Sequence, residues 1–352
     1  MQTLFAFQQL RASDQLIVEE QLKQDIQELP EQPDNSIEWV NLLRQHIDGS
    51  QVATSELNDM VSTAVSSYHQ KVEADLAFLR SQMVKEVEGI YTLFLWVMNI
   101  FPALADHEDA VLSRKRALPQ GKPKVHLPCK IALEIIRNKL KTEKIATWAD
   151  HQDRISQWYK EVKEHTTEES LPHPNHLEEE SKWLRYMFKT IMWKSESFQN
   201  FFEAYDRGWV ENKDIIKSLV NKTLKSISDE GMTLAPLSYQ WEEDKQFFLD
   251  IFDHTIKKES WAEKLIAESA KNWELDRIAQ VDMILLKMAL CEMINFPSIP
   301  VKVTINEYIE LSKKYSTPKS KKFVNGILDV LANDLVANGT VKKSGRGLID
   351  NK

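Results

Sequence analysis

The chain has 352 residues, enough for two domains, with 42% hydrophobic residues, 28% charged residues and a formal net charge of −8. That balance excludes wholesale disorder and argues against a surface coated throughout with nucleic-acid-binding charge. Only 9 glycines, against many Leu, Lys, Glu, Ile and Ala, favour helices over sheets with tight turns, so an all-α protein is expected.

Residues 1–11 read as a short amphipathic helix, with Met1, Leu4 and Phe5 apolar at helical spacing and Phe7 widening the stripe. A polar helical stretch follows, and Leu29-Pro30 with Pro33-Asp34-Asn35 marks a break. A long helical pattern runs over 54–101, where Leu76, Leu79, Met83, Val87, Ile90, Tyr91 and Phe94 recur every three or four residues; Pro102 is expected to end or kink it. Residues 114–124 form a basic connector containing Pro and Gly, Leu127-Pro128 opens the next helix, and another is expected over 149–163. The acidic linker 164–174 separates that helix from 177–205.

The last third is patterned most clearly. Residues 241–257 predict a helix with Phe247, Phe248, Ile251, Phe252 and Thr255 on its core face, followed by another through Trp261, Leu265 and Ile266. Residues 278–293 are apolar on most of the circumference, as in the buried central helix of a bundle. Pro300 is placed at the first position of a helix continuing through Val303, Ile305, Ile309 and Leu311 to Tyr315. Thr317 is expected to cap a final helix with Phe323, Ile327, Val330 and Leu331 inward, and Asn338-Gly339 to end it before a flexible basic tail.

Charge is unevenly spread. Residues 302–352 hold ten Lys or Arg and five Asp or Glu, a local balance of +5, which leaves −13 for residues 1–301. An acidic body with a basic end fits local RNA contact plus a second, basic partner. Cys129 and Cys291 lie far apart and outside any CxxC pair, so both read as reduced, buried small hydrophobes. The longest apolar run, 91–104, contains Asn99 and Pro102 and falls short of the roughly 20 residues that span a bilayer. Residues 1–10 lack the features of a secretory signal, so a cytoplasmic protein without membrane contact is expected.

Three blocks, DMILLKMALCE from Asp282, PVKVTINEYIELSK from Pro300 and KFVNGILD from Lys322, stand in the order and spacing of one family. Together with MQTLFAFQ at the start, they resemble the NusB family of bacterial transcription antitermination factors. The chain looks like a long form of that family, in which more than 200 residues separate the first helix from the rest. The resemblance implies a NusB-like helical bundle with a large helical insertion: residues 1–10 as the first helix of the core, 11–240 as the insertion, 241–337 as the C-terminal core and 338–352 as the tail.

It further implies a non-enzymatic factor that binds a boxA-like single-stranded RNA in nascent ribosomal RNA. The small-subunit ribosomal protein NusE would bind with it, within an RNA polymerase elongation complex. The candidate RNA-binding residues are Lys313, Lys314, Lys319, Ser320, Lys321, Lys322, Phe323 and Asn325. The lysines flank a helix N-terminus, where backbone N–H groups and the dipole favour an anion, and no acidic residue occurs from Leu311 to Gly326. Phe323 offers either a face for a base or simple core packing, Asn325 either a base contact or a helix tie, and Gly326 a close helix contact. Asp276 and Asp282 favour the N-terminus of their helix, and the resemblance gives Asp282 a role in receiving the basic partner.

Family members usually begin with an arginine-rich segment before the first helix, and this chain starts within that helix. Either Met1 is an internal methionine of a longer product, the preferred reading, or RNA contact relies on the C-terminal lysines with Arg114, Lys115 and Arg116 of the connector. His173 and His176, near Glu178, Glu179 and Glu180, sit in a linker without a second ligand pair, and neither a metal nor a cofactor is expected. No phosphate-cradling glycine loop or nucleophile motif is present. The tryptophans, among them Trp183, Trp193, Trp209, Trp241 and Trp261, read as core. Two alternatives stand beside this reading: a protein-only adaptor without RNA contact, and an RNA methyltransferase carrying a NusB-like domain. The second lacks its catalytic segments here.

Overall fold

The computed structural model describes residues 1–29, 36–47, 59–116, 125–167, 169, 171–173, 175–270 and 278–349. Among them the regular elements are helical, apart from one isolated bridge between Ser228 and Gly231. They form two compact units: 1–84 together with 242–352, and 85–241.

The first unit draws on both ends of the chain. α1 (Gln2–Gln27) is a single helix, longer than the short one expected, because no glycine or proline interrupts it. Its start places Leu4 in a core built mainly from α10 (Trp241–Lys257), α11 (Glu259–Ser269), α12 (Gln280–Asn295), α13 (Val301–Tyr315) and α14 (Ser320–Ala337). Its second half packs Val18, Leu22 and Ile26 against Val40 and Leu43 of α2 (Ser36–Ile47) and Val61, Val65 and Tyr68 of α3 (Asp59–Met98). Arg44 of α2 clamps Glu19 of α1 with bonds of 2.8 and 2.6 Å, the fork geometry that suits a carboxylate.

α12 is the centre of this unit, buried from Ile284 to Met293, as its sequence predicts. Lys287 on it is also buried, and bonds Glu259 at 2.8 Å and Glu263 at 2.5 Å; Arg11 bonds Glu259 at 2.6 Å. These contacts compensate a charge that would otherwise be costly to desolvate. Gly339, with φ of 73°, ends α14, and Val341 N–H returns to the Leu335 carbonyl at 2.9 Å, a C-terminal cap of the kind Asn-Gly predicts. The tail expected to be flexible is anchored at 341–344: Val341 is buried, Lys343 Nζ donates to the Phe296 carbonyl at 3.0 Å and Ser344 N–H to the Pro297 carbonyl at 2.9 Å.

The second unit contains the end of α3, α4 (Ile100–Arg116), α5 (Lys130–Leu140), α6 (Gln152–Glu164), α7 (Leu177–Tyr186), a π-helical turn Met187–Met192, α8 (Glu196–Tyr205) and α9 (Trp209–Lys225). Pro102 has no N–H to give the Met98 carbonyl, and α3 gives way to α4 at Asn99. The connector at 117–124, with the side chains of Lys115 and Arg116, lies outside the described residues. The core is dense in aromatics: Trp96 stacks on Trp148 at 4.2 Å, and Trp158, Phe198, Phe202 and Trp209 are almost fully buried.

Trp183, Trp193 and Trp209 are core residues as read, whereas Trp241 and Trp261 are half-buried. Both cysteines are buried and unpaired. A window within 59–114 is apolar enough to cross a membrane, with mean hydropathy 1.5, but Leu93–Met98, Ile100, Phe101 and Leu104 are already satisfied by this core.

Candidate nucleic-acid interface

α13 and α14 pack closely and meet near Ser316–Ser320. α13 begins one residue later than read, with Pro300 as its N-cap accepting from the amides of Val303 and Thr304. α14 begins at Ser320 with Lys319 as its N-cap. Thr317 therefore opens a preceding turn instead of capping the helix: its carbonyl accepts from Ser320 N–H at 3.0 Å. Lys319 supplies no side-chain cap and the first turn holds no acidic residue, so the positive end of the α14 dipole lies among ammonium groups.

Lys313, Lys314, Lys319, Lys321 and Lys322 are all exposed. Lys313 pairs with Glu310 one turn back, and Lys314 Nζ lies 5.0 Å from the centre of the Tyr315 ring. Among the described residues Lys319, Lys321 and Lys322 make no ion pair. Lys319 and Lys322 share one face of α14 at helical spacing, while Lys321 lies about 100° round the axis from Lys322.

The remaining candidates lie differently from the sequence reading. Phe323 is 7% exposed and packs within the first unit's core; its position beside Ile327 on the inner stripe seals the ring, and it offers no open face for a base. Ser320 is 2% exposed, and its hydroxyl donates to Asp282 Oδ2 at 2.6 Å and meets the hydroxyls of Ser316 and Thr317 at 2.9 and 2.8 Å. Asp282 is itself buried, and its Oδ1 has no hydrogen-bond partner among the described residues. It ties the first turn of α12 to that of α14, which corrects its reading as a partner-facing carboxylate. Asp276 lies outside the described residues.

Asn325 is half-buried and donates to Asp329 Oδ2 at 2.8 Å, one turn on. Among the described residues Gly326 makes no close helix contact, since a Cβ there would meet nothing within 4 Å. Its cost to the helix, about 0.5–1 kcal/mol relative to alanine, is therefore not explained by packing.

The sequence reading also missed the buried acid at Glu292, whose Oε2 accepts from the Tyr308 hydroxyl at 3.1 Å. Burial pushes its carboxyl above the ordinary range against the hydrogen bonds from Thr304 and Tyr308. It helps line an apolar cavity of about 790 Å³ with Met83, Phe248, Met288 and Val303. In the second unit His173 pairs with Glu179 at 2.8 Å on the surface, and His176 is the N-cap of α7.

The bundle, with its central apolar helix and lysine-flanked last helix, covers the part of the chain that the NusB family model matches, residues 237–333. This region belongs to the NusB family. The chain is similar to proteins named transcription antitermination protein NusB: 41% identical over 137 residues to that of Chloroherpeton thalassium, covering 39% of this chain and 62% of that protein. Identity is 44% over 105 residues with that of Salinibacter ruber, covering 30% and 66%, and 38% over 96 residues with that of Koribacter versatilis, covering 27% and 66%. The chain thus spans just under two thirds of the length of these NusB relatives. No solved structure matches. The fold is an all-α NusB-like bundle with a large helical insertion.

Proposed function

We propose that the protein is a non-enzymatic, cytoplasmic transcription antitermination factor. In this reading it binds a boxA-like single-stranded RNA together with NusE and acts within an RNA polymerase elongation complex. The observation that supports this most is the exposed lysine group at the start of α14, inside the region that matches the NusB family. Three of these lysines make no ion pair among the described residues, so their charge is available to phosphates. Affinity then comes chiefly from the backbone of the strand and falls steeply with salt.

A second reading, a protein-only adaptor, is favoured by one observation: burial of Phe323 removes the expected stacking platform. Gel shifts with labelled leader RNA at low salt, with and without NusE, separate the two. An RNA-dependent complex supports the first reading; NusE binding without any RNA-dependent shift would establish the adaptor.

A further inference from the structure

Gly326 poses a question of its own. It lies inside α14, where glycine weakens a helix, yet a Cβ there would meet nothing within 4 Å and its φ is not in the left-handed range. Neither packing among the described residues nor backbone geometry calls for it. On the outer face of α14 it follows Lys319 and Lys322 and precedes Val330, which is 48% exposed, so the four form one stripe at helical spacing. Below it, Asp329 holds the Asn325 amide at 2.8 Å. The stripe therefore changes from cationic at its start to uncharged at Gly326 and Val330, with a carboxylate beside the uncharged part.

We infer that Gly326 is a notch over which a single-stranded RNA passes. Phosphates lie on Lys319 and Lys322, and an uncharged ribose or base crosses the bare backbone at Gly326 to rest on Val330. The charge order sets this polarity, because a phosphate carried as far as Asp329 is repelled while one near Lys319 and Lys322 is held. Any side chain at 326 then fills space the strand needs. The inference rests on the RNA-binding reading above, and assigns to Gly326 the job of admitting the strand.

The test separates stability from binding in the full chain. Anisotropy with a short fluorescein-labelled single-stranded leader RNA at low salt is measured for the wild type, Gly326→Ala, Gly326→Leu and Lys319→Glu with Lys322→Glu. Expected are a raised Tm for Gly326→Ala together with RNA affinity lowered about tenfold, equivalent to about 1.4 kcal/mol, and a larger loss for Gly326→Leu. Unchanged affinity in both glycine variants, with RNA still bound by the wild type, overturns the notch and leaves the RNA reading standing. Wild-type affinity in the lysine variant overturns the stripe. A wild-type chain that binds no RNA at low salt, alone or with NusE, overturns both readings.

Discussion

Ser320 donates a 2.6 Å hydrogen bond to Asp282, and both side chains are buried. The bond joins the first turn of α14 to the first turn of α12, and so fixes where the lysine-bearing end of α14 stands. Ser320→Ala leaves a buried carboxylate without its donor and is expected to destabilise the protein by about 1–3 kcal/mol. Asp282→Asn keeps an acceptor oxygen and should cost less than Asp282→Ala. Urea denaturation of the three variants checks the order; equal losses for the Asn and Ala variants would contradict a role for the bond itself.

Lys287 is a second buried tie. Its side chain is 3% exposed and contacts Glu259 and Glu263. Lys287→Ala removes one of the two cations on Glu259 and leaves it to Arg11 and Gln8, with an expected loss of about 1–3 kcal/mol. Lys287→Met with Glu259→Gln replaces the charges together and should lose less than Lys287→Ala alone. A double variant at least as unstable as the single one would show that the pair contributes more than mutual compensation.

The half-buried Glu259 and the buried Glu292 should give opposite pH responses. Burial raises the Glu259 carboxyl, but the bonds from Lys287 and Arg11 outweigh it and leave it below the ordinary range. Its stabilising contribution is present above the unfolded-state value, about 4.3, and is lost as pH falls through the lower folded value. Glu292 is shifted upward by burial, so its contribution is present below the unfolded value and is lost as pH rises through the folded one. Stability profiles over roughly pH 3 to 8 should therefore flatten on the acid side in Glu259→Gln and on the upper side in Glu292→Gln. Parallel profiles for wild type and both variants would refute these assignments.

RNA affinity should follow the salt dependence of phosphate contacts. For single strands each neutralised phosphate contributes about 0.7 to the slope of log K against log salt. Lys319→Gln with Lys322→Gln should reduce that slope by about 1.4. A titration series in potassium chloride measures it, and a slope identical to wild type would place the phosphates elsewhere.

Sequence made the helices legible where one apolar face stood against a polar one. α10 has the bounds read from its pattern, and the all-round apolar α12 is the buried centre. α9 was not singled out, because the exposed Val210 and Ile215 add apolar residues beyond its buried Ile216, Leu219 and Val220 and blur the period. At the site, the lysines were singled out from their charge together with the family resemblance of the block that follows them. The burial of Phe323 and Ser320 was not fixed by type, since an aromatic beside Ile327 and a hydroxyl beside lysines suit either side of a helix. Contacts between residues 38 positions apart, such as Ser320 with Asp282, have no local signature, and the empty space over Gly326 is visible only in three dimensions.

The discontinuous make-up of the first unit bears on its synthesis. Arg11 meets Glu259 across a separation of 248 positions. At about 5–20 residues per second, the ribosome needs about 12–50 s to supply the second partner. Meanwhile residues 85–241 are complete and contiguous, so that unit can acquire its aromatic interior while Leu4 and Phe7 still lack their mates. A nascent chain of this protein should thus show a chaperone the sticky first turns of its amino-terminal helix through most of translation, and limited proteolysis of stalled chains would find residues 1–11 unprotected until α10–α12 emerge.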